Sequence, residues 1–436
     1  MNLIQIEIPQ PSHPRESILK KIGGAVVALG MLIFLAGATG AFEHHVLLYC
    51  LGSLGMATLG GILFILPDRS NGLPGIKNNG VMFSSASNRG AVAWATAVFL
   101  TGFYILLYWY PEYLKGLIQS TDVLSTMLTG KPANQWFLYG TMYTLTILVM
   151  GMKMLFKYRH SRYQIVRTLS VMFFQLVFSY LIPHMLEAFQ QPEYYFSYFW
   201  PLKTGVLFPG DLQWLWSQPG ALSHFMVIWG IIMSIIGVPV LTYFFGKRWY
   251  CSYVCGCGGL AETMGDPYRQ NSDKSLKAWK IERWMVHSVL LFVTLTTGLL
   301  WANSYYGGAL LGRMSMYFSQ WYGFLIGAAF SGVIGVGFYP LMGSRVWCRF
   351  GCPQAAILGI FQKYFSRFRI TTNGSQCISC GNCSTYCEMG IDVRAYAQRG
   401  ENIVRASCVG CGVCSSVCPR GVLNLENGPV TGRVTK

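Results

Sequence analysis

Eight cysteines near the end of the chain fall into two runs of one spacing. Cys377, Cys380, Cys383 and Cys387 form C-x2-C-x2-C-x3-C; Cys408, Cys411, Cys414 and Cys418 repeat it, and Pro419 follows the last. Upstream, Cys251 and Cys255 form C-x3-C, as do Cys348 and Cys352, and Cys257 stands beside the first pair. Of the 14 cysteines only Cys50 lies outside these groups. Runs at two- and three-residue spacing in a non-secreted segment read as thiolate metal ligands rather than disulfides. Loading iron–sulfur clusters onto them needs a reducing, protected compartment, which points to the cytoplasmic side.

The terminal spacing is the bacterial ferredoxin pattern for 4Fe–4S clusters, in which the fourth cysteine of each run ligates the other run's cluster. The expected sets are Cys377, Cys380, Cys383 and Cys418 on one cluster, and Cys408, Cys411, Cys414 and Cys387 on the other. Residues 365–436 therefore read as a cytoplasmic α+β domain holding two 4Fe–4S clusters. Such a domain has little core of its own and is held together by its clusters.

The rest of the chain must position these motifs, and it reads as membrane. Hydrophobic residues make up 53% and charged residues only 11% of the 436, against about 25% charged in a soluble globular chain. Eight apolar stretches are long enough to span a bilayer: 22–42, 46–67, 90–110, 135–156, 168–188, 223–245, 283–302 and 321–343. The expected fold is an all-α polytopic bundle of about eight transmembrane helices. Residues 1–222 form an unassigned five-helix region and 223–364 a transmembrane core carrying the paired C-x3-C motifs. Ala36-Gly37-Ala38 imitates a signal-peptidase site, but the apolar run continues past it, so the first helix is read as retained.

Charge sets the orientation. With the N-terminus inside, the inner segments hold Arg15, Lys20, Lys21, Arg69, Lys77, Arg89, Lys157, Arg159, Arg162, Arg167, Lys247, Arg248, Arg269, Lys274, Lys277 and Lys280. The outer segments hold only Lys115, Lys131, Lys203 and Arg313. This asymmetry predicts a bacterial inner-membrane protein with both termini cytoplasmic, and it accounts for most of the net charge of +16. An acidic soluble partner on the basic face is compatible with it; nucleic-acid binding has no support. The outer segment 189–222, with Tyr194, Tyr195, Phe196, Tyr198, Phe199, Trp200, Trp214 and Trp216, reads as an interfacial aromatic belt.

The two C-x3-C motifs belong to an internal repeat. Gly246, Arg248, Cys251 and Cys255 align with Gly343, Arg345, Cys348 and Cys352 at an offset of 97 residues. Each copy follows an outside-to-inside helix, so four thiolates come to one depth at the inner face, where they could hold a third iron–sulfur cluster. Arg248 and Arg345 would favour the thiolate forms and offset the charge of a ligated cluster. Cys257 is an alternative ligand to Cys255. Glu262 and Asp266, just downstream, read as residues of a solvated loop.

Paired C-x3-C motifs behind transmembrane helices, followed by a double cysteine run, resemble the NosR/NapH-type membrane polyferredoxins over residues 223–425. The resemblance implies electron transfer between a quinol or cytoplasmic donor and a periplasmic or membrane redox partner. By position, Cys251, Cys255, Cys348 and Cys352 fill the family's membrane motif and the last eight cysteines its ferredoxin motif. The family motif reads C-x3-C-P: the second copy keeps Pro353, while the first has Gly256 and Cys257. No segment ahead of the first span is long enough for the outer flavin domain of NosR, so covalent flavin is not expected.

Of the histidines, His44 and His45 lie in the first outer turn, His184 near the outer end of span five, His224 at the outer start of span six and His287 near the inner end of span seven. His184, His224 and His287 are the candidates for a quinone headgroup or haem, each against the blander reading of an interfacial side chain; b-type haem is not the expected cofactor. Glu187 is an ionisable group at a span end. No Walker or Rossmann loop, hydrolytic triad or zinc signature is present. The expected activity is electron transfer, quinol dehydrogenase-like if the quinone pool is the donor. The rivals are a subunit of a larger respiratory complex, or a redox assembly or regulatory factor for a periplasmic metalloprotein. A transporter is disfavoured by the lack of paired intramembrane acids.

Overall fold

The computed structural model describes residues 14–41, 46–70, 89–192, 194–197, 199–201, 207–312, 314–373 and 376–428. His44, His45, Lys77, Tyr198, Lys203 and Arg313 lie outside the described residues. The chain divides into two compact units, one of residues 1–86, 109–127 and 131–138, the other of 87–108, 128–130 and 139–436.

In the first unit, helices Pro14–Ala38 and Val46–Ser70 form a hairpin. Without a hydrophobic drive between helices in lipid, small residues let backbones approach. A Cβ on Gly60 would lie 2.8 Å from the Gly23 carbonyl oxygen, so the contact requires glycine.

The second unit carries the cysteine motifs. Among the described residues, seven helices are long and apolar enough to cross a membrane: Ile18–Ala38, Val46–Phe64, Gln135–Lys157, Arg162–Ala188, Ala221–Phe245, Leu276–Tyr305 and Met314–Gly337. The stretch expected at 90–110 forms helix Ala91–Trp109, and makes an eighth span only if it is counted with Pro111–Gln119 as one broken element. Three spans contain π-helical stretches, at Phe174–Leu181, Met233–Gly237 and Gly323–Ile334. Such stretches interrupt the regular ladder and often lie near functional sites.

The segment after the Arg162–Ala188 span is not a surface belt throughout. Trp200 N donates to Ser234 Oγ at 2.8 Å and its indole N–H to Thr297 Oγ1 at 3.2 Å, both within neighbouring spans. Phe199 is fully buried, its ring 5.3 Å from that of Tyr250. The Phe196 carbonyl accepts from the Trp229 indole at 3.1 Å. The belt expectation is thus corrected for Tyr194, Phe196, Phe199 and Trp200, which pack among the helices. Irregular backbone is tolerated there because it is buried in protein and its polar groups are paired. Trp214 and Trp216 remain exposed.

The C-terminal module is closed by strand β1 (Phe368–Thr372) antiparallel to β2 (Leu423–Asn427), with Ile370 opposite Leu425. Its buried Phe368, Ile370, Ile403, Val409 and Leu423 share one cluster with Met233, Val238, Tyr250 and Leu358 of the preceding elements. The small module thereby gains a core that its own strands and short helices do not supply.

Candidate iron–sulfur sites

Each terminal run turns through a left-handed glycine, Gly381 (φ 79°) and Gly412 (φ 72°), into a short helix, Asn382–Thr385 and Val413–Ser416. That places the third cysteine in the first helical turn and carries the fourth across to the other run. One cavity is lined by Cys377, Cys380, Cys383 and Cys418. A second is lined by Cys387, Cys408, Cys411 and Cys414. Each holds three thiols of one run and one of the other. Among the described residues, no group of three or more His, Cys, Asp or Glu side chains is placed to hold a single metal ion. Four sulfurs around an open space fit the wider cage of a cluster. The Ile391 amide donates to Cys387 Sγ at 3.4 Å, a bond of the kind that tunes cluster potentials.

The upstream repeat is a repeat of backbone geometry. In the first copy helix Val238–Phe245 ends at Gly246 (φ 68°), helix Arg248–Cys251 follows, and extended Cys255 (φ −66°, ψ 123°) starts helix Gly256–Thr263. In the second, helix Tyr339–Met342 ends at Gly343 (φ 91°), a π turn Trp347–Gly351 follows, and extended Cys352 (φ −80°, ψ 113°) starts helix Pro353–Tyr364. Cys352 Sγ accepts from the Ala355 amide at 3.4 Å. Both second cysteines thus sit at helix N-termini, where free amides and the helix dipole favour a thiolate. The Cys257 thiol, donating to Cys255, is the largest influence holding Cys255 down at about 7; burial opposes it. Burial pushes Cys251 up to about 12 against the pull of Lys247 and Arg345. Arg345 touches both Cys348 Sγ and the Cys251 carbonyl, which brings the two copies together, and Cys352 lies within electrostatic reach of Cys251, Cys255 and Cys348.

Around them lies a buried ionic lattice. Arg345 Nη1 is 3.8 Å from Cys348 Sγ and 3.3 Å from the Cys251 carbonyl oxygen. Its Nη2 pairs with Glu262 at 2.5 Å and Glu388 at 2.9 Å. Glu262 also pairs with Arg167. Arg269 bridges Asp266 at 3.0 Å and Glu388 at 2.8 Å, and Lys157 reaches Asp266 at 2.6 Å. Burial would raise the Glu388 carboxyl, but Arg345, Arg269 and Arg167 outweigh it and hold it at about 2. The solvated-loop expectation for Glu262 and Asp266 is overturned: both are buried, because a carboxylate between two guanidinium groups can be desolvated.

Arg248 departs from its expected role beside the thiols. Its guanidinium stacks on Phe368 at 4.6 Å, and buried Lys247, with Nζ donating to the Ala406 carbonyl at 3.2 Å, takes the place near Cys251. Sequence reasoning missed Lys247, Arg167, Arg269 and Glu388. One signal for the lattice was available: Glu262 follows the run Gly258-Gly259-Leu260-Ala261, which has no polar side chain, as a closely packed segment does.

The three histidines have separate surroundings. His184 is buried with its ring 4.9 Å from Tyr180. His224 is half-buried, bonded to the Gly220 carbonyl at 2.9 Å and edge-on to Trp216. His287, half-buried, faces the cations Arg283, Lys247 and Lys363. Cys257 is accessible although Tyr104, Tyr108, Tyr139, Tyr143 and Tyr339 surround it. The Tyr139 and Tyr143 rings lie 5.5 Å apart in this group of phenols.

Residues 369–419 match the family described as 4Fe-4S dicluster domain, and residues 226–275 and 324–372 each match the 4Fe-4S binding domain. The latter two matches each contain one copy of the repeat. Among curated proteins the chain is 24% identical over 170 residues to "Putative electron transport protein YccM" of Escherichia coli (strain K12), covering 37% of this chain and 46% of that protein. It is also 24% identical over 177 residues to "Uncharacterized protein MJ0749" of Methanocaldococcus jannaschii, covering 40% of this chain and 65% of that one. The chain thus spans less than two thirds of the length of either relative. No solved structure matches it. By these matches the chain carries 4Fe–4S ferredoxin-type domains, in the repeat and at the C-terminal end.

Proposed function

We propose that the chain is a membrane-bound iron–sulfur electron-transfer protein of the NosR/NapH type, passing electrons between a quinol or cytoplasmic donor and a periplasmic or membrane redox partner. The observation that carries this reading is the sorting of eight thiols into two four-sulfur cavities, each drawing one cysteine from the other run. In this reading Cys377, Cys380, Cys383 and Cys418 hold one 4Fe–4S cluster, and Cys387, Cys408, Cys411 and Cys414 hold a second. Cys251, Cys255, Cys348 and Cys352 hold a third at the cytoplasmic membrane face, with Cys257 beside Cys255. A bound cluster supplies one-electron transfer. The chain's own residues fix the thiols on helix starts, exclude water with the apolar core around Phe368 and Val409, and offset thiolate charge through Arg345 and Lys247. The role in the YccM name agrees with this reading.

The phenols grouped about Cys257, two residues from Cys255, favour a quinol as donor, because phenol hydroxyls can bond to quinone oxygens.

The test is anaerobic purification, counting of iron and sulfide, then addition of a menaquinol or ubiquinol analogue with cluster bleaching followed optically and by electron paramagnetic resonance. About twelve irons per chain, three clusters of four, are expected. Reduction by quinol identifies a quinol dehydrogenase. Reduction by dithionite alone identifies a cytoplasmic low-potential donor. A folded chain that never holds iron sinks the proposal.

A further inference from the structure

We propose that Arg345 and Glu388 are positioning residues that couple the Cys387–Cys408–Cys411–Cys414 site to the four-cysteine site at the membrane face, so that the Cys377 site is outermost and the membrane-face site last in line. This rests on the three-cluster reading above.

Glu388 directly follows Cys387, and its carboxylate is fully buried. Arg345 lies three residues before Cys348, and its guanidinium is equally buried. One guanidinium therefore touches the Cys348 sulfur, the Cys251 carbonyl and the residue adjoining Cys387. The connection is two short covalent segments joined by one ion pair and one N–H···S contact.

The other bonds across the same junction go to the same place. Ser252, next to Cys251, donates to the carbonyl of Val409, next to Cys408, at 2.8 Å. Gln362 donates to the Cys408 carbonyl at 2.7 Å, and Gln164 to that of Cys411 at 2.9 Å. Ser272 donates to the Glu388 carbonyl at 2.7 Å. Among the described residues no hydrogen bond runs from the membrane-face elements to Cys377–Cys383. Cys380 and Ile378 are exposed instead. The module is thus fastened mainly beside one of its two sites, and the other reaches the surface at Cys380.

Electron tunnelling falls steeply with distance, so exchange with the membrane-face site runs through the site fastened to it. In one exchange a single electron leaves one cluster, oxidising it, and enters the next, reducing it; no bond forms or breaks. A cation shared by two centres stabilises the more negative, reduced state of both, and N–H···S contacts act in the same direction. Glu388 acts through Arg345: it holds the guanidinium between the two sites and offsets part of its charge, while Glu262 also holds it.

The test is potentiometric titration of the full-length protein, followed by electron paramagnetic resonance, for wild type, Glu388→Gln and Arg345→Gln, with iron counted in each. Cys380→Ser assigns the signal of the outer site. Loss of the Glu388 charge is expected to raise the potentials of the inner and membrane-face centres. Loss of the Arg345 charge is expected to lower both. The outer centre should stay put in each variant. Glu388→Gln leaves Arg345 paired with Glu262, so it decides the matter even where Arg345→Gln does not assemble. Equal shifts at all three centres, no shift at any, or a shift at the outer centre overturn the coupling. Iron for only two clusters in the wild type overturns the three-cluster reading instead.

Discussion

The two copies of the membrane-face motif have one backbone and two chemistries. Both end a helix on a glycine of positive φ, pass through a basic turn and set an extended second cysteine at the start of the next helix. In the second copy the cation is Arg345, buried against a sulfur and two carboxylates. In the first, the aligned Arg248 stacks on Phe368, and Lys247, one residue earlier, turns inward to the Ala406 carbonyl. The copies differ because they face different surroundings. The first lies against β1 and the second cysteine run; the second lies against Glu262 and Glu388. A repeat preserves the backbone that places its ligands, while each cation is set by what packs opposite.

The sharpest way to break the comparison is to remove its thiols. Cys352→Ser is expected to cost the whole membrane-face cluster, about four irons per chain, with the two terminal clusters retained. Cys257→Ser is expected to cost none. Iron and sulfide counts on the purified variants decide it. If Cys257→Ser loses that iron while Cys255→Ser keeps it, Cys257 is the ligand and the copies are offset at their fourth position.

The next largest effect tests the shared backbone. A Cβ at Gly343 would sit 2.1 Å from Ser272 Oγ and 2.8 Å from its amide N, and one at Gly246 would sit 2.7 Å from Phe368 Cβ. Both positions also need a φ that side chains rarely adopt. Gly343→Ala is expected to destabilise by several kcal/mol and Gly246→Ala by about 2–3 kcal/mol, because Ser272 backbone yields less than the Phe368 side chain. Thermal unfolding in detergent should rank them in that order; equal tolerance of both would mean that the repeat is not held by its turns.

The cysteine spacing and the 97-residue repeat were legible because ligand geometry is local: a turn and a helix start must follow each thiol at fixed offsets. Most spans were legible for the same reason, since each is a continuous apolar run. The lattice was not, because the partners of Glu262 are remote: Arg345 lies 83 residues away in sequence. A carboxylate paired at that range looks identical to a solvated one. Phe196, Phe199 and Trp200 misled for a related reason, since an aromatic run has the same composition at a lipid interface and in a segment buried among helices. Only the bonds of Trp200 to Ser234 and Thr297 separate the two.

The stretch after the first copy supplies acids to the lattice, and Asp266 reports on their worth. Burial would raise its carboxyl, but Arg269 and Lys157 outweigh that and hold it below the usual aspartate range. A folded-state pKa below the unfolded one gives stability that is present at neutral pH and is lost as pH falls through the folded pKa. Asp266→Asn, which leaves Arg269 with the Glu388 carboxylate and the Glu262 carbonyl, is expected to cost about 2–3 kcal/mol at pH 7. The gap between wild type and variant should narrow below the usual aspartate range near pH 4. Unfolding temperatures from pH 7 downward measure that gap; a constant gap would mean Asp266 acts by packing rather than by charge.

The smallest effect separates the two cations of the first copy. Lys247 is buried and bonded to a carbonyl of the cysteine module, so Lys247→Gln is expected to cost about 2 kcal/mol. It should also lower the potential of the membrane-face centre, because a positive charge near Cys251 is gone. Arg248→Gln loses a partly exposed stack on Phe368 and a bond to the Phe245 carbonyl, about 1 kcal/mol, and should leave every potential unchanged. The aligned arginine would then be the silent one and its unaligned neighbour the electrostatic equivalent of Arg345. A potential shift in Arg248→Gln with none in Lys247→Gln would restore the simple alignment, and the copies would share their chemistry as well as their backbone.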